Sequence, residues 1–174
     1  MEQKTFKIFL ASSNELADVR EKFGNFVRRL DMIYMKRGLH IELFEWEDYD
    51  ASWKGQRKQN EYNDKVRESD MFVALFYTKG GNFTIEEFTV ATKEYRKRKS
   101  PLIYVYFRDL PKEGEWTPEL KTFTEKLRKM GLFWYSYGNQ EGLRLQFLQQ
   151  LLIVENGLLK LELENGEVKL GGEL

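Results

Sequence analysis

The chain of 174 residues has no cysteine, one histidine and three prolines. Without cysteine there is no thiol nucleophile, no disulfide and no thiolate zinc site. With His40 alone, a Ser-His-Asp triad has one candidate base, and that histidine lies in Gly38-Leu39-His40-Ile41-Glu42, a turn entering a strand, where a structural role fits. No carboxylate and histidine spacing resembles a metal site, so none is expected. Walker and GxGxxG phosphate cradles are also missing. Lys plus Arg equals Asp plus Glu at 28 each, and no long basic block marks a nucleic-acid partner. Arg96-Lys97-Arg98-Lys99 reads as the solvated last turn of a helix, favourable at its negative dipole end. No run reaches the ~18 apolar residues of a membrane span, and no signal-peptide segment opens the chain. The expectation is a cytoplasmic protein with no membrane partner, in which the Asn82-Phe83-Thr84 sequon stays unglycosylated.

What is present alternates. Thr5 to Ala11 reads as a strand running into Ser12-Ser13-Asn14, and Leu16, Val19, Phe23, Phe26, Val27, Leu30 and Ile33 predict a long amphipathic helix ending near Gly38. Leu39 to Phe44 is a second strand. Glu45 to Gln56 follows as a loop rich in acids and aromatics, long enough to be functional. Arg57 to Glu68 reads as a mostly polar helix with Tyr62 and Val66 inward.

The central stretch is Met71-Phe72-Val73-Ala74-Leu75-Phe76, a strand buried on both faces. Lys79-Gly80-Gly81-Asn82 then leads to a helix with Thr84 as N-cap and Ile85, Phe88, Ala91 and Tyr95 inward. Gly80-Gly81 admits a turn or a backbone approach to phosphate. Pro101 to Phe107 is a fourth strand, Thr117-Pro118 caps a helix that stops at Gly131, and Leu132 to Tyr135 is a fifth strand. Gly142 to Val154 is the last long helix. Five strand-helix alternations predict an α/β fold, a parallel sheet with helices on both faces. Beyond Asn156 the alternation of Leu159, Leu161 and Leu163 with Val168 and Leu170 around Asn165-Gly166 predicts a hairpin. The division expected is a domain at 1–155 and a tail at 156–174 that packs on it or begins a further domain.

Chemistry narrows to Glu86 and Glu87, adjacent carboxylates at a helix start beside the C-terminal end of the central strand, where open parallel sheets bind ligands. Thr84-Ile85-Glu86-Glu87 also fits a capping box, in which Glu87 only closes the helix end. A carboxylate there is held ionised by the helix dipole, which suits stabilising positive charge. The residues alone leave both readings open.

Lys7 to Ser13, the loop after the second strand, Ser69-Asp70 and above all Phe83-Thr84-Ile85-Glu86-Glu87-Phe88-Thr89-Val90-Ala91 resemble a Toll/interleukin-1 receptor (TIR) domain, most closely the bacterial TIR-like domains of defence proteins. The resemblance covers roughly residues 5 to 155. It implies a flavodoxin-like sheet in the order 2-1-3-4-5. For an enzymatic member it implies an NAD glycohydrolase that releases nicotinamide and leaves ADP-ribose or a cyclic isomer, with NAD as substrate and no cofactor. Glu87 matches the catalytic glutamate, four residues after the aromatic Phe83 and four before Ala91. Ser12 and Ser13 match the loop bordering the nucleotide. Trp46 to Gly55 match a family loop that mediates assembly and gates the pocket, with Trp46, Asp48 and Phe83 expected to bind substrate and Tyr49, Trp53 and Gly55 to serve assembly. The aromatic is commonly tryptophan in the family, and an arginine or tyrosine often stands where this chain has Ser12-Ser13. The resemblance further implies self-association through TIR surfaces, a sensor domain or protein outside this chain, and antiphage signalling. A non-catalytic TIR interaction module and a flavodoxin-like nucleotide sensor are the alternatives.

Overall fold

A computed structural model describes residues 4–45, 58–111, 114–158, 161–164 and 167–170. The chain divides into two compact units, 1–138 and 139–174. In the first unit the strands are β1 (Lys4–Ser12), β2 (Leu39–Phe44), β3 (Met71–Phe76), β4 (Leu102–Arg108) and β5 (Tyr135–Tyr137). The helices are α1 (Ala17–Tyr34), α2 (Lys58–Glu68), α3 (Asn82–Arg98) and α4 (Pro118–Lys129). The five strands form one sheet in the order β2-β1-β3-β4-β5, and every pairing is parallel. This is the order that the TIR resemblance implies, and the fold is TIR-like in that respect.

Alternation sorts the strand residues to two faces. One face gives Phe9, Ala11, Phe72, Ala74, Phe76, Val105 and Phe107 to a core closed by Val66 of α2, Phe88 and Ala91 of α3, and Leu120, Phe123 and Leu127 of α4. Its centre is aromatic. Phe76 lies 5.2 Å from Phe107 and 5.0 Å from Phe123, and Phe88 meets Phe123 edge-on at 5.0 Å. The opposite face carries Ile8, Leu10, Met71, Val73 and Leu75, all buried, and α1 packs over β1 and β2 with Val19, Phe23 and Val27 buried. All six residues of β3 are buried, as its apolar run requires of a central strand.

Polar ties fix the lower edge. Asp70 Oδ2 accepts from the Lys7 amide at 2.8 Å, while the Asp70 amide donates to the Lys7 carbonyl and the Leu102 amide to the Asp70 carbonyl, so one residue registers β1, β3 and β4. His40 Nδ1 lies 3.0 Å from Asp31 Oδ1, which also accepts from the Ile41 amide at 2.6 Å, the structural role expected of it. Arg98, in the basic last turn of α3, donates to the carbonyls of Arg67 and Ser69 and pins the end of α2. Gly24, inside α1, has a reason to be glycine: a Cβ there would stand 1.9 Å from Oε1 of the buried Glu45.

Two expected boundaries move. The fifth strand was expected at Leu132 to Tyr135 and is found at Tyr135–Tyr137. The Leu132 amide donates to the Leu127 carbonyl and the Gly131 amide to that of Arg128, a Schellman closure of α4 that spends those residues on the helix end. Thr117 caps α4 as expected, accepting from the Leu120 amide at 3.4 Å. The N-cap of α3 is Gly81 (φ 69°), not Thr84; the left-handed glycine turns the chain so that the helix begins at Asn82.

The second unit contains α5 (Gln140–Leu158) and an antiparallel pair, β6 (Leu161–Glu164) with β7 (Glu167–Leu170), registered Leu161 to Leu170 and Leu163 to Val168. The paired strands match the expected hairpin, whose turn, Asn165-Gly166, and whose first alternating leucine, Leu159, lie outside the described residues. Among the described residues no helix is long and apolar enough to cross a membrane.

Candidate active site

In a sheet ordered 2-1-3-4-5 the order in which strands are added switches side between β1 and β3, and the crevice beyond the strand ends at that point is where such folds bind ligands. A cavity of about 370 Å³ opens there. Its floor is Phe9, Leu10, Ala11 and Ser12 from the end of β1, with Asn14 beyond. Lys58, Gln59 and Tyr62 from the start of α2 form one wall, and Phe83, Thr84 and Glu87 from the start of α3 form the other. The volume and the apolar lining with a few convergent polar groups are those of a small-molecule site.

The loops around this crevice are clamped by one residue. Glu15 Oε1 accepts from the amides of Thr78 at 3.0 Å and Lys79 at 2.8 Å and from Ser13 Oγ at 3.2 Å, and Oε2 accepts from Thr78 Oγ1 at 2.5 Å. The segment after β3 is thereby held against the segment after β1. Gly81 lies beside Ser13, whose Cβ a Cβ added at Gly81 would approach to 3.2 Å. Gly80 and Gly81 do not line the cavity, so the pair serves the turn.

Among the described residues, Glu87 is the acid that lines the cavity. It is buried, at 6% exposure, and points toward α2, where Gln59 Nε2 donates to its Oε1 at 3.2 Å. With the N-cap at Gly81, a capping box would place its acid at Thr84; Glu87 falls in the second turn, so the capping reading fails. The dipole expectation fails as well. Burial pushes the Glu87 carboxyl up to about 7, the neighbouring Glu86 adds to that, and the Gln59 hydrogen bond and the Arg20 charge oppose it. An acid poised near neutrality can stabilise a cation when ionised and exchange a proton with water or a leaving group. Glu86 is turned aside, its Oε1 accepting from Asn63 Nδ2 at 2.9 Å.

Of the other predicted site residues, Ser12 lines the cavity and Phe83 stands in its wall at 60% exposure. Ser13 is adjacent but serves the clamp through Glu15. Trp46, Asp48, Tyr49, Trp53 and Gly55 lie outside the described residues. Three side chains at the site were missed. Arg20 of α1 is fully buried and donates to Ser12 Oγ and to the Ser13 carbonyl at 3.5 Å, bringing a guanidinium against the loop after β1. Gln59 and Asn63 are buried amides of α2. Both were legible in principle, because positions 59, 62, 63 and 66 form one helical stripe shared with Tyr62 and Val66.

No sequence-family profile and no curated protein matches the chain. Among solved structures, the RPS4 and RRS1 TIR domain heterodimer aligns with 86% of this chain and 97% of its own, at a TM-score of 0.49 and 12% identity. The Clostridium botulinum CMP N-glycosidase BcmB aligns with 84% of this chain and 98% of its own, at a TM-score of 0.46 and 13% identity. Likenesses of that size leave the chemistry to be argued from the side chains around Glu87.

Proposed function

We propose that this chain is an N-glycosyl hydrolase that cleaves the bond between nicotinamide and ribose in NAD. The observation carrying the reading is Glu87, a buried acid with a pKa near neutrality in the wall of the switch-point cavity. The cavity takes a base and its sugar, and the remainder of the dinucleotide extends out past Lys58 and Phe83. Breaking the C1′–N bond sends its electron pair to nicotinamide, which leaves neutral, and positive charge develops on the ribose. A carboxylate fixed beside C1′ interacts more strongly with that transition state than with the ground state. Water then adds at C1′ and yields its proton through Glu87 to solvent, giving ADP-ribose; capture by an adenine nitrogen instead gives a cyclic isomer. Phe83 offers a flat face to the nicotinamide ring. Activation by self-assembly and a place in bacterial antiphage signalling belong to the same reading.

The test is nicotinamide release from NAD by the purified chain at high concentration with a crowding agent, beside Glu87→Gln. Wild type is expected to release nicotinamide and Glu87→Gln to lose about 100-fold or more of that rate, equivalent to roughly 3 kcal/mol of barrier. Absence of release from a folded, self-associated wild type would favour the non-catalytic interaction module. That second reading has its own support: Met32 and Ile33 in the last turn of α1 and Met35 just beyond it are 68%, 56% and 48% exposed, apolar side chains available to another protein surface.

A further inference from the structure

The two adjacent carboxylates of α3 face two adjacent amides of α2, and the four side chains form one directed chain of hydrogen bonds. Asn63 Nδ2 donates to Glu86 Oε1 at 2.9 Å. Gln59 Nε2 donates to Asn63 Oδ1 at 3.3 Å and to Glu87 Oε1 at 3.2 Å. An ionised carboxylate only accepts, so Glu86 dictates which way the Asn63 amide faces. Asn63, having turned its NH2 to Glu86, offers its oxygen to Gln59. Gln59 must then turn its NH2 toward both Asn63 and Glu87. The orientation of the donor on Glu87 is thus set by a charge on the neighbouring residue of the same helix, relayed through α2. Gln59 and Asn63 are 4% and 7% exposed, so water competes little for these bonds.

Resting on the reaction proposed above, we propose that Gln59 is the positioning residue for Glu87, aimed by Asn63 and Glu86. It holds the Glu87 carboxyl against the cavity wall and favours the ionised form that a developing ribose cation needs. The other charged groups facing Glu87 act from separate elements: Glu86 on its own helix opposes ionisation and Arg20 from α1 favours it, while Lys58 from α2 lines the same cavity. Loss of the Gln59 donor leaves burial and Glu86 against Arg20, which moves Glu87 toward its neutral acid.

The experiment uses Gln59→Met, which keeps the length and the burial and removes the donor. Its kcat on NAD is expected to fall about tenfold near pH 6.5 with KM within about twofold, the acid limb of the kcat profile moving to higher pH so that the deficit narrows to about twofold near pH 9. A loss equal at every pH would mark a packing residue and overturn the proposal. The second readout needs no turnover. In protein labelled with 13C at glutamate carboxyls, the Glu87 resonance, assigned by its disappearance in Glu87→Gln, is expected to titrate at higher pH in Gln59→Met than in wild type. An unchanged midpoint overturns the positioning role even if the enzyme is active, and a raised midpoint in a protein that releases no nicotinamide sustains the role while sinking the reaction. Should Gln59→Met not fold, Asn63→Leu removes the group that aims Gln59 and is expected to shift the same midpoint in the same direction by less; no shift there overturns the relay.

Discussion

At Glu87 the needs of the fold and of the site oppose one another. A carboxyl that titrates at about 7 when folded and at 4.5 by its ordinary value retains a proton in the native state that the unfolded chain has released between those limits. Stability therefore falls as pH rises from about 4.5 to about 7 and is level above, a cost of at most about 3 kcal/mol for this one group. Glu87→Gln keeps the shape, carries no charge to desolvate and still accepts from Gln59. It is expected to be more stable than wild type by about 1–3 kcal/mol at about pH 8 and equal to it near pH 4, in urea unfolding at the two pH values. Equal stability at the higher pH would mean that Glu87 is not the burdened group. The residues alone left Glu87 and Glu86 open and only the TIR resemblance pointed to Glu87, while its protonation was not legible at all. Three of the four influences on it arrive from other elements or from burial.

Among the elements, those with one dominant signal were read closely and those with two competing signals were not. The strand at Met71–Phe76 stands as its apolar run predicts, and β2 likewise at Leu39–Phe44. Thr84 carries the chemistry of an N-cap, yet Gly81 reaches the left-handed turn first, and Thr84 is buried within α3 together with Glu87, Phe88, Ala91 and Thr92. The inward stripe is displaced from the one expected, leaving Tyr95 at 40% exposure. In α2 the inward stripe was read only through Tyr62 and Val66; Gln59 and Asn63 share it, but their polar character gave no sign of burial without the partner helix α3. The loop segments after β1 and β3 depend on Glu15 in the same nonlocal way, through bonds spanning more than sixty residues of sequence. Glu15→Ala removes four hydrogen bonds to a charged acceptor, and is expected to cost about 2 kcal/mol in denaturant unfolding, part of each bond being replaced by water. The amides of Thr78 and Lys79 should also lose their protection from hydrogen exchange. Retained protection at those two amides would show that the loop is held by something other than the clamp.

On the scale of the whole molecule the sheet order gathers chemistry that is scattered in sequence. Ser12, Arg20, Gln59, Phe83 and Glu87 meet because β1 lies between β2 and β3, so that the starts of α2 and α3 converge beyond its end. Binding at such a point couples elements across the first compact unit, and a ligand that fills the cavity should stabilise that unit as one body. Glu87→Gln makes this measurable, since it removes turnover and keeps the cavity. NAD at about 100 times its dissociation constant is expected to stabilise the variant by about 2.7 kcal/mol, or roughly 5–10 °C in Tm. Adding Phe83→Ala should shrink the shift at the same NAD concentration, because the wall that faces a flat ring is gone. A saturable shift in Glu87→Gln with nicotinamide release by wild type fits the hydrolase. The same shift without release by wild type describes a nucleotide sensor built on the same crevice. No shift at millimolar NAD, with Phe83→Ala indistinguishable from its parent, would remove the dinucleotide from the cavity and leave Glu87 an acid in search of another substrate.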